Sequence, residues 1–391
     1  MSTIIYTLEK CVKCLKCIKV CPTGAISMHE SRIHVDKDKC INCGTCMDAC
    51  NHRGLQTKGS SLEDLKDYDY CVALVPTAIY GDCSTLEEVR TLLNVIRKLG
   101  FDQVVDLSVY DGCIYDENMK FIEGENQLAC MISSTCPVIN KLIENKYPML
   151  LQNKVPFAYS ADLAAKKVRE EAAHIAGKVG IFLLCECIAK LTLAKNPYGN
   201  GNTEIDHAIS LADLFPMIRK NRVLEGEMVD VSVDGLKQTD TRLFIANKMK
   251  KNCMVADGLA KVENVLELLE FGQIKSIEYF HLTNCLNGCI GGDLLWGNSF
   301  DKSVNMEKLV QEANAPVISL AHSELLSKSD LKNDLDQRSH QEKLVAFEAL
   351  NKQLEKLPGF DCGACGYPSC RALAEEIVKG TGKLESCQVL K

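Results

Sequence analysis

An α/β central domain framed by two small cysteine-rich modules is the fold class that the sequence predicts. Three observations carry it. Between residues 60 and 329, apolar runs of strand length alternate with stretches of helical period. That alternation favours parallel strands in a sheet with helices packed outside it. Eight of the 22 cysteines fall in the first fifty residues, and four more follow Pro358-Gly359. A chain of 391 residues has room for two to three domains. The expected boundaries are 1–59, 60–329, a helical linker at 330–357, and 358–391.

In the first module, Cys11, Cys14, Cys17 and Cys21 form C-x2-C-x2-C-x3-C, followed by Pro22. Cys40, Cys43, Cys46 and Cys50 repeat the spacing. It is the pattern of bacterial two-cluster ferredoxins, small α+β modules in which the fourth cysteine of each run serves the other cluster. The expected [4Fe-4S] ligand sets are Cys11, Cys14 and Cys17 with Cys50, and Cys40, Cys43 and Cys46 with Cys21. Zinc prefers close ligand pairs separated by a longer stretch, and a disulfide framework needs a secreted chain, so both fit poorly. Ile33 and Val35 alternate between the runs, which suits a small hairpin. Residues 1–58 hold nine Lys/Arg against five Asp/Glu. That balance suits an acidic electron partner, with a solvated loop face as the plainer alternative. Lys13 and Lys16 stand between ligands, where positive charge favours the reduced cluster.

In the central domain, candidate strands lie at 71–75 (CVALV), 103–107 (QVVDL), 179–184 (VGIFLL) and 277–282 (IEYFHL). Helical period fills Leu86–Leu99, Leu163–Ala176 and Val262–Leu269. Residues 330–357 read as a charged amphipathic helix with Leu331, Leu335, Leu344, Phe347, Leu350 and Leu354, stopped by Pro358-Gly359. In the last module Cys362, Cys365, Cys370 and Cys387 make a four-ligand set, and Gly363 and Gly366 give the backbone freedom to wrap it. The stretch resembles a small 4Fe-4S module found at the end of several anaerobic redox proteins. Spacing alone leaves zinc open there.

The net charge of −7 argues against nucleic-acid binding. No run approaches the length of a membrane-spanning helix, and the start MSTIIYTLEKC has no secretory pattern. A cysteine-rich chain of this kind belongs in a reducing cytoplasm. Oxygen sensitivity and an anaerobic setting are expected.

Cys136, Cys187, Cys285 and Cys289 remain in the middle. Cys136 follows LACMISST and precedes Pro137, a favoured first helical residue. Cys187 follows VGIFLL. Cys285 follows IEYFHLTN, with Cys289 one turn later, ahead of Gly291-Gly292. Ligand sites in α/β sheets gather at such strand exits. Lone cysteines are otherwise small buried hydrophobes, and residue pattern alone leaves both readings standing.

The segments SSTCPVI, CIAK and NCLNGCIGG resemble, in order, the three signatures of the [FeFe]-hydrogenase catalytic domain, T-S-C-C-P, P-C-x-x-K and E-x-x-x-C-x-x-x-C-x-G-G. The resemblance runs over essentially the whole chain, including ALVPTAIYGD and SADLAAKKVREE. It implies a two-lobed mixed α/β domain that holds an H-cluster, a [4Fe-4S] cubane joined to a two-iron subcluster with CO, cyanide and azadithiolate. Cys136, Cys187, Cys285 and Cys289 would hold the cubane, Cys289 would bridge to the two irons, and Lys190 would donate to a cyanide. H2 oxidation and proton reduction follow as the implied activity. The implied partners are H2, protons, a ferredoxin or signalling protein, and the hydrogenase maturation machinery, with no nucleic acid and no membrane span.

The chain departs from those signatures in places. Thr135 stands where active members carry a second cysteine that passes protons. A threonine hydroxyl ionises far less readily than a thiol, so slow turnover is expected, with Thr135, Lys190 and Cys289 as the catalytic set. Cys185 and Glu186 replace a usual Met-Pro, Thr283 a frequent methionine, and Asp293 a third glycine. Asp111, Asp116 and Glu117 read as solvated loop acids. Cys71, Cys83, Cys113, Cys130, Cys185 and Cys253 read as buried thiols. Thr135 together with the C-terminal module resembles the sensory branch of the family. The chain stops four residues beyond Cys387, so no PAS or other output domain is expected, and H2 or redox sensing through a separate protein follows. The rival readings are a cubane-only electron-transfer protein and an electron-input subunit of a redox complex.

Overall fold

Val72, Ala73, Leu74 and Val75 are wholly buried in the strand Tyr70–Val75, at the interior of a four-stranded sheet. A parallel strand covered on both faces needs apolar side chains on both, so its run is continuous rather than alternating. The computed structural model describes residues 3–124, 130–194, 203–220, 231–245, 251–313, 320, 322–326 and 340–391. The chain divides into two compact units, Gly59–Leu331, and Met1–Lys58 with Lys332–Lys391. Among the described residues no helix is long and apolar enough to cross a membrane.

In the larger unit the sheet order is Gln103–Asp106, Tyr70–Val75, Val179–Cys185 and His207–Ser210, every pair parallel. Ala73 pairs with Val104 on one side and Phe182 on the other. A second parallel sheet orders Cys253–Asp257, Tyr279–Thr283 and Met131–Ile132. The two parallel sheets give the α/β fold that the sequence predicts. The strand expected at 277–282 begins at Tyr279 and runs to Thr283. Three further strands lack a strong apolar signal. Met131–Ile132 has two residues, His207–Ser210 has four, and Cys253–Asp257 is a half-buried edge.

Helices follow their local chemistry. The Thr85 hydroxyl accepts from the Glu88 N–H at 3.2 Å and opens Leu86–Arg97, which buries Val89, Leu92, Leu93 and Ile96. The helix expected over Leu163–Ala176 spans Ser160–Glu171 and ends in a tight turn, Ala172–His174. The helices Ser108–Glu123 and Val233–Thr239 pack unusually close. A Cβ on Gly112 would collide with the Ser232 hydroxyl, and one on Gly235 with the Ser108 carbonyl.

In the smaller unit, Ile4–Tyr6 pairs antiparallel with Leu55–Thr57, and Ile26–His29 with Arg32–Val35. Glu30 and Ser31, at φ 49° and 63°, make the hairpin turn. Ile18, Ile26, Ile33 and Leu55 form its core. The expected linker helix is present as His340–Leu354, and Leu350 and Leu354 pack on the C-terminal module. Leu331 and Leu335 lie outside the described residues.

Two expectations are corrected. Cys130 and Cys253 are only partly buried, whereas Cys71, Cys83, Cys113 and Cys185 are buried. Asp111, Asp116 and Glu117 lie on the helix Ser108–Glu123 rather than in a loop.

Gly235→Ala should lower the urea midpoint of the full chain. Helix propensity alone would raise stability by about 1 kcal/mol, so the sign isolates the helix contact. His281 is buried, stacks on Phe244 at 4.0 Å, and burial lowers its pKa from 6.5 to about 4. The unfolded chain therefore binds a proton that the fold excludes between those values. Stability is fully present above pH 6.5 and falls as pH drops toward 4, by about 3 kcal/mol. His281→Phe should flatten that slope in urea titrations at several pH values.

Candidate metal centres

The cysteine loops share a backbone signature. Eight non-glycine residues among those described have positive φ. Glu30 and Ser31 belong to the hairpin, and the other six sit within three positions of a candidate ligand. Lys13 and Leu15, at 56° and 61°, flank Cys14, and Asn42 and Gly44, at 53° and 81°, flank Cys43 in the same way. Arg53 follows Cys50, Asn287 precedes Gly288 and Cys289, and Asp361 precedes Cys362. Left-handed residues turn successive N–H groups inward and make the concave nests that hold anions and iron–sulfur centres. Such strain in non-glycine residues persists where a site demands it.

In the ferredoxin-like module the two runs lie close together. Cys11, Cys14, Cys17 and Cys50 line one cavity with Tyr6 and Leu55, about 390 Å³ with its open mouth included. Cys17 and Cys46 each sit in a one-turn helix, Lys16–Lys19 and Thr45–Asp48. Burial raises Cys17 to about 11, and the charges of Cys11, Cys50 and Cys14 add to it. Burial raises Cys43 to about 11 as well, with Cys21 and Cys40 adding. The Ala25 N–H donates to the Cys21 sulfur and the Gly54 N–H to the Cys50 sulfur, both at 3.2 Å. At Cys50 burial pushes upward, but the N–H groups of Gly54, Leu55, His52 and Arg53 prevail and lower its pKa.

The central cysteines come from both sheets. Cys136 caps the helix Pro137–Lys146 just past Met131–Ile132. Cys187 follows Val179–Cys185, and Cys285 follows Tyr279–Thr283. Their thiols are electrostatic neighbours. Burial raises Cys285 well above the ordinary thiol value, and Asp293, Cys187, Cys136 and Cys289 add to it. Burial pushes Cys289 up to about 12, against the pull of Lys190. Glycine lets the loops close. A Cβ on Gly292 would collide with the Glu186 carbonyl, which accepts from the Leu294 N–H at 2.9 Å. Thr135 is partly buried beside Cys136, and the Thr283 hydroxyl donates to the Cys285 carbonyl at 3.2 Å.

Lys190 and Glu186 form a buried ion pair, with Lys190 15% exposed and Glu186 1%. Burial pulls the Lys190 ammonium down, but Glu186, Cys289, Cys187 and Asp111 outweigh it, and its pKa stands well above the ordinary lysine value. The other Glu186 oxygen, Oε2, has no hydrogen-bond partner. Asp111 also faces this pocket. Burial raises its carboxyl, and the Lys190 charge with hydrogen bonds from Ser160 and Thr77 holds it back; the Thr77 bond is 2.5 Å. Asp116 and Glu117 pair with Lys120 on the helix surface, both at 2.7 Å. Sequence reasoning marks Glu186 as a departure from the signature and reads Asp111 as a solvated acid, but it misses the Glu186–Lys190 ion pair and the burial of Asp111. The signal for the pair is its i, i+4 spacing.

At the C-terminus Ser369 caps Cys370–Val378, accepting from the Ala372 N–H at 3.1 Å. The Cys370 N–H donates to Asp361 at 2.6 Å and closes the loop that carries Cys362 and Cys365. Cys387, buried with Leu373 and Ala374, follows the turn Leu384–Ser386. Burial raises Cys365, and Cys387 and Cys362 add to it. Among the described residues no three His, Cys, Asp or Glu side chains close as tightly as a single metal ion requires. The donor sets, with their nests and inward N–H groups, fit thiolate-held clusters at both ends and in the middle.

Lys190→Met would strand the Glu186 carboxylate in the interior, a loss of about 3–5 kcal/mol. The unfolding midpoint should fall accordingly, and adding Glu186→Gln should restore part of it.

Comparison with known proteins agrees in outline. Residues 77–243 match the family model "Iron only hydrogenase large subunit, C-terminal domain", a span that includes Cys136, Cys187 and Lys190 and stops short of Cys285 and Cys289. Residues 3–51 match a 4Fe-4S dicluster domain, and 357–389 an Fe–S cluster family. Among curated proteins, one component of the ion-translocating oxidoreductase complex of Cereibacter sphaeroides is 55% identical over 31 residues. That is 8% of this chain and 16% of the relative, so the chain matches only a small part of that protein's length. An uncharacterized protein of Methanocaldococcus jannaschii is 46% identical over 41 residues, 10% of this chain and 18% of that one. Among solved structures, a variant of [FeFe]-hydrogenase HydA1 from Chlamydomonas reinhardtii is 14% identical with a TM-score of 0.47, covering 69% of this chain and 96% of that one. The chain is a hydrogenase-like iron–sulfur protein with a ferredoxin module at its N-terminus.

Proposed function

We propose that the central domain is a slow H2-oxidising and proton-reducing site that reports H2 or redox state, with electrons passing through the cysteine-bound clusters. One observation supports the reading: the buried Cys285 thiol feels the charges of Cys187, Cys136 and Cys289, and Lys190 feels those of Cys289 and Cys187. Cys136, Cys187, Cys285 and Cys289 would hold the cubane, with Cys289 shared by the two-iron unit. Bound there, the H-cluster would supply the H2 chemistry and the cubane its one-electron capacity.

The chain's own groups account for the expected slowness. Thr135 can pass a proton only by donating and accepting at once. Lys190 offers three N–H donors, and one is engaged by Glu186. A cytoplasmic setting, a ferredoxin or signalling partner and the maturation machinery complete the proposal. The surplus of basic residues in 1–58 supports an acidic partner surface.

A second reading, a cubane-only electron-transfer or sensing protein, draws on Glu186 and Asp111. Both carboxylates influence Lys190 and Cys289, and their negative charge would disfavour an anionic two-iron unit there.

Anaerobic protein loaded with a synthetic two-iron cofactor should show CO and cyanide stretches in the infrared and a slow, H2-dependent reduction of viologen dye. Stretches without dye reduction would remove the enzymatic claim, and no stretches after loading would favour the cubane-only reading. Thr135→Cys should raise turnover, toward the factor of roughly 10²–10⁴ that a matched proton carrier supplies. An unchanged rate would place the bottleneck away from Thr135.

A further inference from the structure

The C-terminal module is more than a neighbour in sequence to the linker helix. Lys332–Lys391 and Met1–Lys58 form one compact unit. Their contact joins the C-terminal cysteine loop to the hairpin that lies between the two ferredoxin cysteine runs. The Met28 N–H, on the hairpin strand Ile26–His29, donates to the Gly366 carbonyl at 2.8 Å. Gly366 lies between Cys365 and Cys370 at φ 89°, and a Cβ there would collide with the Met28 carbonyl. Both the backbone angle and the approach require glycine. Next in the chain, the Tyr367 ring meets the His29 ring edge-on at 5.0 Å, and His29 stands 5.6 Å from His34.

The remaining contacts point to one ferredoxin site rather than both. A Cβ on Gly24 would stand 3.2 Å from Pro368, and one on Gly363 3.7 Å from the Lys19 side chain. Glu376 feels the charge of Lys39, and Lys379 that of Asp36. Lys19 and Gly24 flank Cys21, and Asp36 and Lys39 precede Cys40. The cavity lined by Cys11, Cys14, Cys17 and Cys50 is bordered by residues of the ferredoxin module alone.

We propose that the C-terminal cysteine set is a fixed electron-exchange partner of the Cys40, Cys43, Cys46 and Cys21 set. The Met28–Gly366 clamp and the His29–Tyr367 contact hold the two loops in register. The exchange moves one electron: the reduced site is oxidised, the other reduced, and no bond or proton changes. Rigid contact suits this exchange because electronic coupling falls steeply with separation. The inference rests on the reading that both sets hold iron–sulfur clusters.

The test is electron paramagnetic resonance on the full-length, anaerobically loaded chain reduced with dithionite, with iron counted in every sample. The C-terminal signal should be broadened by a reduced neighbour. That broadening should vanish in Cys43→Ala, persist in Cys14→Ala, and weaken in Gly366→Val. Tyr367→Ala, which leaves the backbone as it is, should weaken it less. A full iron count with a narrow C-terminal signal in the unsubstituted protein would overturn the exchange while sparing the clusters. Broadening that survives Cys43→Ala and vanishes in Cys14→Ala would overturn the choice of partner. Iron lacking at the C-terminal set in the unsubstituted protein would remove the reading beneath it.

Discussion

Holding a cluster requires a chain to turn several N–H groups and several sulfurs toward one point, which ordinary right-handed backbone does not do. Left-handed residues between the cysteines perform that turn here. Where glycine does it, at Gly44, Gly288, Gly363 and Gly366, the conformation is nearly free. Where Lys13, Leu15, Asn42, Asn287 and Asp361 do it, the loop carries strain that the bound group must offset. The rest of the architecture follows from this constraint. Short helices form around the third cysteine of each ferredoxin run, and the hairpin between the runs supplies the apolar floor.

The central site solves the same problem with sheets instead of a tight loop. Its cysteines follow the carboxyl ends of parallel strands, where ligand sites in α/β sheets gather. Cys187 comes from the four-stranded sheet, and Cys136 and Cys285 from the three-stranded one. Gly292 lets the Cys289 loop lie against the backbone beside Cys187, and Gly291 lets that loop close on its own Leu286 carbonyl. Near Cys187 and Cys289 the chain places a buried ion pair, Glu186–Lys190, and a second carboxyl, Asp111. A buried pair contributes little net stability while both partners are present, yet removing one is costly. Its significance is therefore electrostatic: the Glu186 carboxylate offsets the Lys190 charge that Cys187 and Cys289 feel.

Legibility from sequence follows from how local each signal is. The ferredoxin runs are fully local, so spacing alone proposes their ligand sets, and Cys11, Cys14, Cys17 and Cys50 line one cavity. The continuous apolar run at 71–75 declares a buried strand, whereas the two-residue strand Met131–Ile132 exists only through its pairing with Tyr279–Thr283. Asp111 is hidden from sequence for the same reason. Its partners Thr77, Ser160, Glu186 and Lys190 all lie far from it in sequence. Glu186 is visible as a departure from a signature, but its bond to Lys190 needs the turn between them. The docking of the two end modules, more than three hundred residues apart in sequence, leaves no local trace at all.

The convergence of Cys136, Cys187, Cys285 and Cys289 on one centre is tested most directly by iron content. Anaerobically loaded protein should lose the iron of one cubane in Cys285→Ala, while the ferredoxin-type and C-terminal signals persist and show that the chain is folded. Iron content that stays at the unsubstituted level in that variant would contradict the account.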